Sequence, residues 1–121
     1  MMIDTAQSLT ELRQLSRGLS RYLRYRIEYS PVVEGHLRAL SARQRSMVFD
    51  AVERQLSNQP DVETRNRKPM RPNPLAPWEL RVGDLRIYYD VHRQPNPVVQ
   101  VLAVGLKQRN CVRVGNEVIE L

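Results

Sequence analysis

Trp78-Glu79-Leu80-Arg81-Val82-Gly83-Asp84-Leu85-Arg86-Ile87-Tyr88-Tyr89-Asp90-Val91 reads as two strands joined by a tight turn. Trp78, Leu80 and Val82 alternate with Glu79 and Arg81; beyond Gly83-Asp84, Leu85, Ile87, Tyr89 and Val91 alternate with Arg86, Tyr88 and Asp90. Alternation of this kind marks half-buried strands, and a two-residue link containing glycine closes a hairpin. So short a link allows only antiparallel neighbours. One face of the pair is aliphatic. The other carries Arg81, Arg86 and Tyr88, and is expected to meet solvent or a ligand.

Toward the C-terminus, Pro95-Asn96-Pro97 turns into Val98 to Val104, an almost continuous apolar run that suits a central strand buried on both faces. Val112-Arg113-Val114, a Gly115-Asn116 turn and Val118 to Leu121 suggest a terminal hairpin. Toward the N-terminus, residues Pro60 to Pro77 hold five of the eight prolines, a density that predicts a loop. Ser41 and Gln44 have the form of a capping box, opening a helix that turns Met47, Val48, Ala51, Val52 and Leu56 inward. Ahead of it, Val33, Leu37 and Leu40 recur at helical spacing, with Ser30 as N-cap and Pro31 in the first helical position. Tyr25, Ile27 and Tyr29 alternate with charged residues as a first strand. Leu9, Leu12, Leu15, Leu19 and Leu23, behind a Ser8/Glu11 capping box, predict a helix from about Ser8 to Tyr22, within an N-terminal extension over residues 1–23. The expected class is α+β. It is a twisted antiparallel sheet with a helical hairpin on one face and an extra N-terminal helix, in one domain over residues 1–121.

Composition narrows the function. Nineteen Lys and Arg against 13 Asp and Glu give a net charge of +6, which favours a polyanionic partner. Cys111 is the only cysteine and His36 and His92 the only histidines, so neither a disulfide framework nor a metal centre is expected. His36 is read as a helix-surface residue, His92 as a solvated turn residue, Trp78 as core, and Cys111 as a poor nucleophile. No apolar run reaches the ~18–20 residues of a membrane helix. Met1-Met2-Ile3-Asp4 lacks the basic and apolar regions of a signal peptide, and a cytoplasmic location is expected.

The hairpin over Trp78–Val91 resembles the central hairpin of the RelE/ParE superfamily of toxins from type II toxin–antitoxin modules. His36-Leu37-Arg38-Ala39-Leu40, the helix to Leu56 and the Lys68 loop look like that family's helical hairpin and connector. Val101 to Gly105 and Lys107-Gln108-Arg109 resemble its last core strand and basic active-site turn. The likeness covers roughly Tyr25 to Leu121. It implies the RelE-like fold, no metal or other cofactor, and a cognate antitoxin as partner. Its activity would be either ribosome-dependent mRNA endonuclease or, on the ParE branch, binding of DNA gyrase. A catalytically inactive RNA-binding or complex-forming relative is the third reading. Where nuclease members usually carry an aromatic residue this chain has Arg113.

RNA is cut without metal when the 2′-OH attacks the adjacent phosphate, which needs a base, cations for the phosphate and an acid for the leaving oxygen. Arginine suits the second task through its permanent charge and planar fork. Arg81 and Arg86, on one face of adjoining strands, are candidates, joined by Lys107 and Arg109 as the resemblance implies. Tyr88 and Lys107 are candidates for proton transfer. Arg65, Arg67, Lys68, Arg71 and Arg113 are candidates for tracking an RNA backbone, against the alternative of a merely solvated charge run. Truncating Arg86 to alanine is expected to leave the fold intact, and an acidic antitoxin segment is expected to cover the cationic face.

Overall fold

β5, Val98–Gln108, is the strand on which every other layer is assembled in the computed structural model, which describes residues 24–120. The predicted N-terminal helix lies outside the described residues. Along one edge β5 pairs antiparallel with β4, Leu85–His92, which pairs with β3, Trp78–Val82, and that with β2, Arg67–Pro69. Its other edge is shared. The first half, Val98 to Val101, takes β1, Arg26–Tyr29, in parallel; the second, Gly105 to Gln108, takes β6, Cys111–Val114, antiparallel, followed by β7, Glu117–Glu120. The α+β class and the hairpin at Gly83-Asp84 are as expected, with one parallel pairing added. The route from β1 to β5 includes both helices and three strands, long enough for a parallel crossover.

Helices α1, Val33–Arg38, and α2, Ala42–Leu56, cover one face. The Ser41 hydroxyl accepts from the Gln44 amide at 3.1 Å, and the Gln44 side chain accepts from the Ser41 amide at 2.9 Å. This satisfies two donors that a helix start leaves open. Val48, Ala51, Val52 and Leu56 are buried against Leu80, Ile87, Tyr89, Val99 and Val101, each large aliphatic contributing about 1.5–3 kcal/mol by leaving water. Trp78 stacks on Tyr89 at 6.1 Å between ring centroids, in that core as expected. Met47 departs from expectation and stays exposed. Ser30 does not cap α1 through its side chain; instead its carbonyl accepts from the Val33 amide, so Pro31 and Val32 form a turn and the helix begins later.

The opposite face is not open throughout. Tyr88, Ala103, Val112 and Val114 form a second apolar cluster under Met70, Leu75 and Ala76 of the proline-rich segment. Asn73 orders that segment: its side-chain oxygen accepts from the amides of Leu75 and Ala76, and its nitrogen donates to the carbonyls of Arg71 and Ala76. The segment also contains β2, which the proline count concealed. Tyr88 is consequently fully buried, correcting its expected position on the solvent face.

Between Tyr88 and Tyr89 the β4–β5 register slips: Tyr88 faces Ala103 and Tyr89 faces Val101, leaving Leu102 as a bulge. The bulge explains why Val98 to Val104 reads as continuously apolar. Its two halves have opposite phase, Val99 and Val101 joining the helix-side core with Val104, while Leu102 and Ala103 join the second cluster. Here too lies the gap between β1 and β6, where the Val104 amide lacks a strand partner. His36 fills it, its Nδ1 accepting from Val104 N at 3.3 Å. His36 is thus a half-buried link between α1 and β5, not the surface residue expected.

Burial lowers the His36 pKa below its ordinary 6.5, against an upward pull from Glu117. A protonated ring accepts at neither nitrogen, so this contribution to stability is present above the unfolded value and lost as pH falls through the lower folded one. His36→Leu should cost about 1 kcal/mol near neutrality, because the Val104 donor is left unpaired. It should also flatten the decline in denaturant midpoint between about pH 7 and pH 5. Equal stability of parent and variant at both ends of that range refutes the assignment.

Candidate functional site

Register brings the basic residues together. Arg81 on β3 stands directly opposite Arg86 on β4, and Arg86 opposite Gly105 on β5, all on the face away from the helices. On that same face Lys107 pairs with Val112 of β6. Gly105 lets β6 approach closely: a Cβ there would lie 2.6 Å from the Arg113 carbonyl and 2.7 Å from Val112. The Lys107 amide donates to the Asp84 carbonyl at 2.8 Å, tying the basic end of β5 to the β3–β4 turn. The result is a cleft of about 380 Å³, lined by Arg81, Arg86, Lys107 and Arg109 with Glu79, Asn110 of the β5–β6 turn and Cys111 at the start of β6.

Each cation is held differently. Arg86 is only 9% exposed; its Nη1 donates to the carbonyls of Gly83 at 2.6 Å and Leu85 at 2.9 Å. It therefore braces its own hairpin, and truncation to alanine removes these bonds, correcting the expectation of a residue the fold does not need. Nη1 is the only guanidinium nitrogen of Arg86 with a protein acceptor among the described residues. Arg81 is half-exposed, with Nε donating to Glu79 Oε1 at 2.6 Å. Lys107 and Arg109 are exposed. Arg109 adopts a φ of 57°, the left-handed region that costs a side-chain-bearing residue roughly 1–2 kcal/mol.

Glu79 was not singled out in the sequence, although it shares the polar side of β3 with Arg81. It is 7% exposed, and register sets it beside Tyr88 on β4 and Lys68 on β2. The buried Tyr88 hydroxyl has no hydrogen-bond partner of ordinary geometry, and burial, reinforced by Glu79, pushes its pKa well above the usual phenol range. An enclosed phenol held protonated has no path to a ligand in the cleft.

The other basic candidates disperse. Arg113 faces Leu106 and Val118, on the helix-side phase of β6, and donates to the Gly115 carbonyl at 3.0 Å; it is not part of the cleft. Arg67 ties the connector to the end of α2, donating to the carbonyls of Val62 and Gln55. Lys68 lies 3.8 Å from Glu63, while Arg65 and Arg71 are exposed. His92 sits 3.4 Å from Asp90, and the Cys111 thiol donates to the Gln108 carbonyl. Among the described residues no group of three His, Cys, Asp or Glu could hold a metal ion, and no helix is long and apolar enough to cross a membrane.

Four cations around one carboxylate, one of them a nearly buried arginine, line an open cleft with the charge and the donors that binding of a phosphate group would need. No family model and no curated protein matches the sequence. Among solved structures, the chain is similar to one from the crystal structure of the RelBE2 toxin–antitoxin complex of Mycobacterium tuberculosis. The TM-score is 0.60 at 22% identity, covering 70% of this chain and 93% of that one. At that identity the likeness is one of architecture: the chain has a RelE-like fold.

Proposed function

We propose that this protein is the toxin of a type II toxin–antitoxin pair and acts as a ribosome-dependent mRNA endonuclease. The observation that carries the reading is the cleft of about 380 Å³ lined by Arg81, Arg86, Lys107 and Arg109, with room for a phosphodiester and its flanking sugar. Arg86 offers a pre-oriented guanidinium, fixed by two carbonyls of its turn, to the phosphate as charge builds up on it. Arg81 flanks the same space from the adjoining strand, and Lys107 and Arg109 give the chain leaving the scissile bond a cationic wall. An ordering partner such as the ribosome supplies alignment of the 2′-OH, which an open cleft does not. The cognate antitoxin would quench the cationic field by laying an acidic segment across it.

The test is incubation of the purified chain with ribosomes translating a defined mRNA. Cleavage leaving a 2′,3′-cyclic phosphate and a 5′-hydroxyl supports the reading. Intact mRNA overturns it, and inhibited supercoiling by gyrase in a parallel assay would direct the fold to the other branch of the resemblance.

Arg86→Lys keeps a charge and a donor for the turn but loses the planar fork. The cleavage rate should fall by ~10²–10³ with the far-ultraviolet spectrum unchanged. A parental rate in the folded variant removes Arg86 from the mechanism.

Arg109→Gly relieves the left-handed backbone and deletes one cation. It should leave thermal stability unchanged or raise it by up to about 1 kcal/mol, while weakening binding to a non-cleavable RNA and lowering the dependence of that binding on salt. A destabilised variant that binds RNA as the parent does contradicts both halves.

A further inference from the structure

We infer that Glu79 is the general base of the cleft, taking the proton from the attacking 2′-hydroxyl; the inference rests on the endonuclease reading and supplies the proton acceptor that reading lacks. Among the residues lining the cleft, Glu79 has the only carboxylate. Every other charged group facing it is cationic: Arg81 on its own strand, Lys68 across β2, Arg86 on β4, and Lys107 and Arg109 at the end of β5. A solitary acid in such company is not explained by the binding of an anion, which it opposes. Nor is it needed to keep Arg81 soluble, since that side chain is half-exposed.

Its geometry is that of an oriented acceptor. Arg81 Nε holds Oε1 at 2.6 Å, and burial of the side chain to one-tenth exposure restrains its rotation. Arg81 is the only protein donor of ordinary geometry to the carboxylate among the described residues, with the Tyr88 hydroxyl close beneath it, and Glu79 lines the cleft. Tyr88, beneath Glu79, is enclosed and stays protonated, so it cannot compete for the role.

In the step, the Glu79 carboxylate accepts the 2′-OH proton as the 2′-oxygen forms its bond to phosphorus. The bond from phosphorus to the 5′-oxygen breaks, and that oxygen takes a proton from the Lys107 ammonium. The products are a 2′,3′-cyclic phosphate and a 5′-hydroxyl; solvent then returns the proton from the Glu79 carboxyl to the Lys107 amine.

The test separates catalysis from binding, because the two roles move in opposite directions. Glu79→Gln removes a negative charge from a cationic cleft while keeping shape and a contact to Arg81. If Glu79 is the base, the single-turnover cleavage rate on ribosome-bound mRNA falls ~10²–10⁴-fold while affinity for a 2′-deoxy analogue at the cleavage site is equal or tighter. If it is only a charge the cleft tolerates, binding and rate both rise. That result overturns the inference, as does a parental rate. Glu79→Asp keeps the carboxylate for Arg81 and withdraws it by one methylene, so it serves where the glutamine variant fails to fold. Its rate should fall at least ~10-fold with affinity retained, and an unchanged rate again overturns the inference. A parent chain that leaves mRNA intact overturns the endonuclease reading itself. A parent that cuts alongside a Glu79→Gln chain that cuts as fast overturns only the base.

Discussion

The extra residue at Leu102 governs the architecture. Residues 99, 101, 103, 105 and 107 would share one face of an unbroken strand, so Lys107 would point toward the helices. The bulge opposite Tyr88 and Tyr89 reverses the phase: Val104 and Leu106 take over the helix-side core, and Ala103, Gly105 and Lys107 turn to the other face. A bulge also bends a strand and strengthens its local twist. On β5 it falls where the free edge passes from β1 to β6, so the unpaired stretch needs a substitute acceptor, which His36 provides. One inserted residue thus allows the front half of β5 to build the fold and the back half to build the cleft.

The second constraint is electrostatic. A guanidinium as deeply buried as that of Arg86 loses water, and such a charge is tolerated only when hydrogen bonds replace its hydration. The carbonyls of Gly83 and Leu85 do this from within the same hairpin, so the hairpin and its cation are mutually dependent. The glycine at the turn, with φ of 57°, places its carbonyl for the contact without side-chain strain. The Lys107 amide binds the neighbouring Asp84 carbonyl. Two hairpin ends distant in sequence are therefore locked together through backbone groups. Such rigidity is what the proposed phosphate contact requires, because a donor displaced by an ångström loses most of its effect.

Much of this was legible in the residues. Alternation over Trp78–Val91 located β3, β4 and their turn, and the Ser41/Gln44 pair located the start of α2, because each signal is local. The pairing of Arg81 with Arg86 followed from the turn length alone. Three features were hidden for physical reasons. Tyr88 obeys the polar phase of its strand, yet the Asn73-ordered segment folds over it, a long-range contact that periodicity cannot report. The bulge leaves no composition signal beyond an over-long apolar run, so the sequence does not show that β6 sets Arg113 on the helix side, away from the cleft. Arg67, within a cluster read as cations for RNA, is occupied by carbonyls of its own chain.

Glu79 was hidden for a subtler reason. Beside Arg81 on a polar strand face, a glutamate looks like half of a surface ion pair, and exposed pairs of that kind contribute little. What distinguishes it is enclosure, which arises only when β2, the Tyr88 cluster and the basic end of β5 converge on it. The same register bears on Arg113, at the position where the resemblance leads one to expect an aromatic: β6 turns that side chain to the helix side, while Lys107 and Glu79 both line the cleft on the opposite face. On the proposed reaction, an acid enclosed on β3 and a lysine at the end of β5 share the cleft with the arginines, so the proton route needs no side chain from the face that Arg113 occupies.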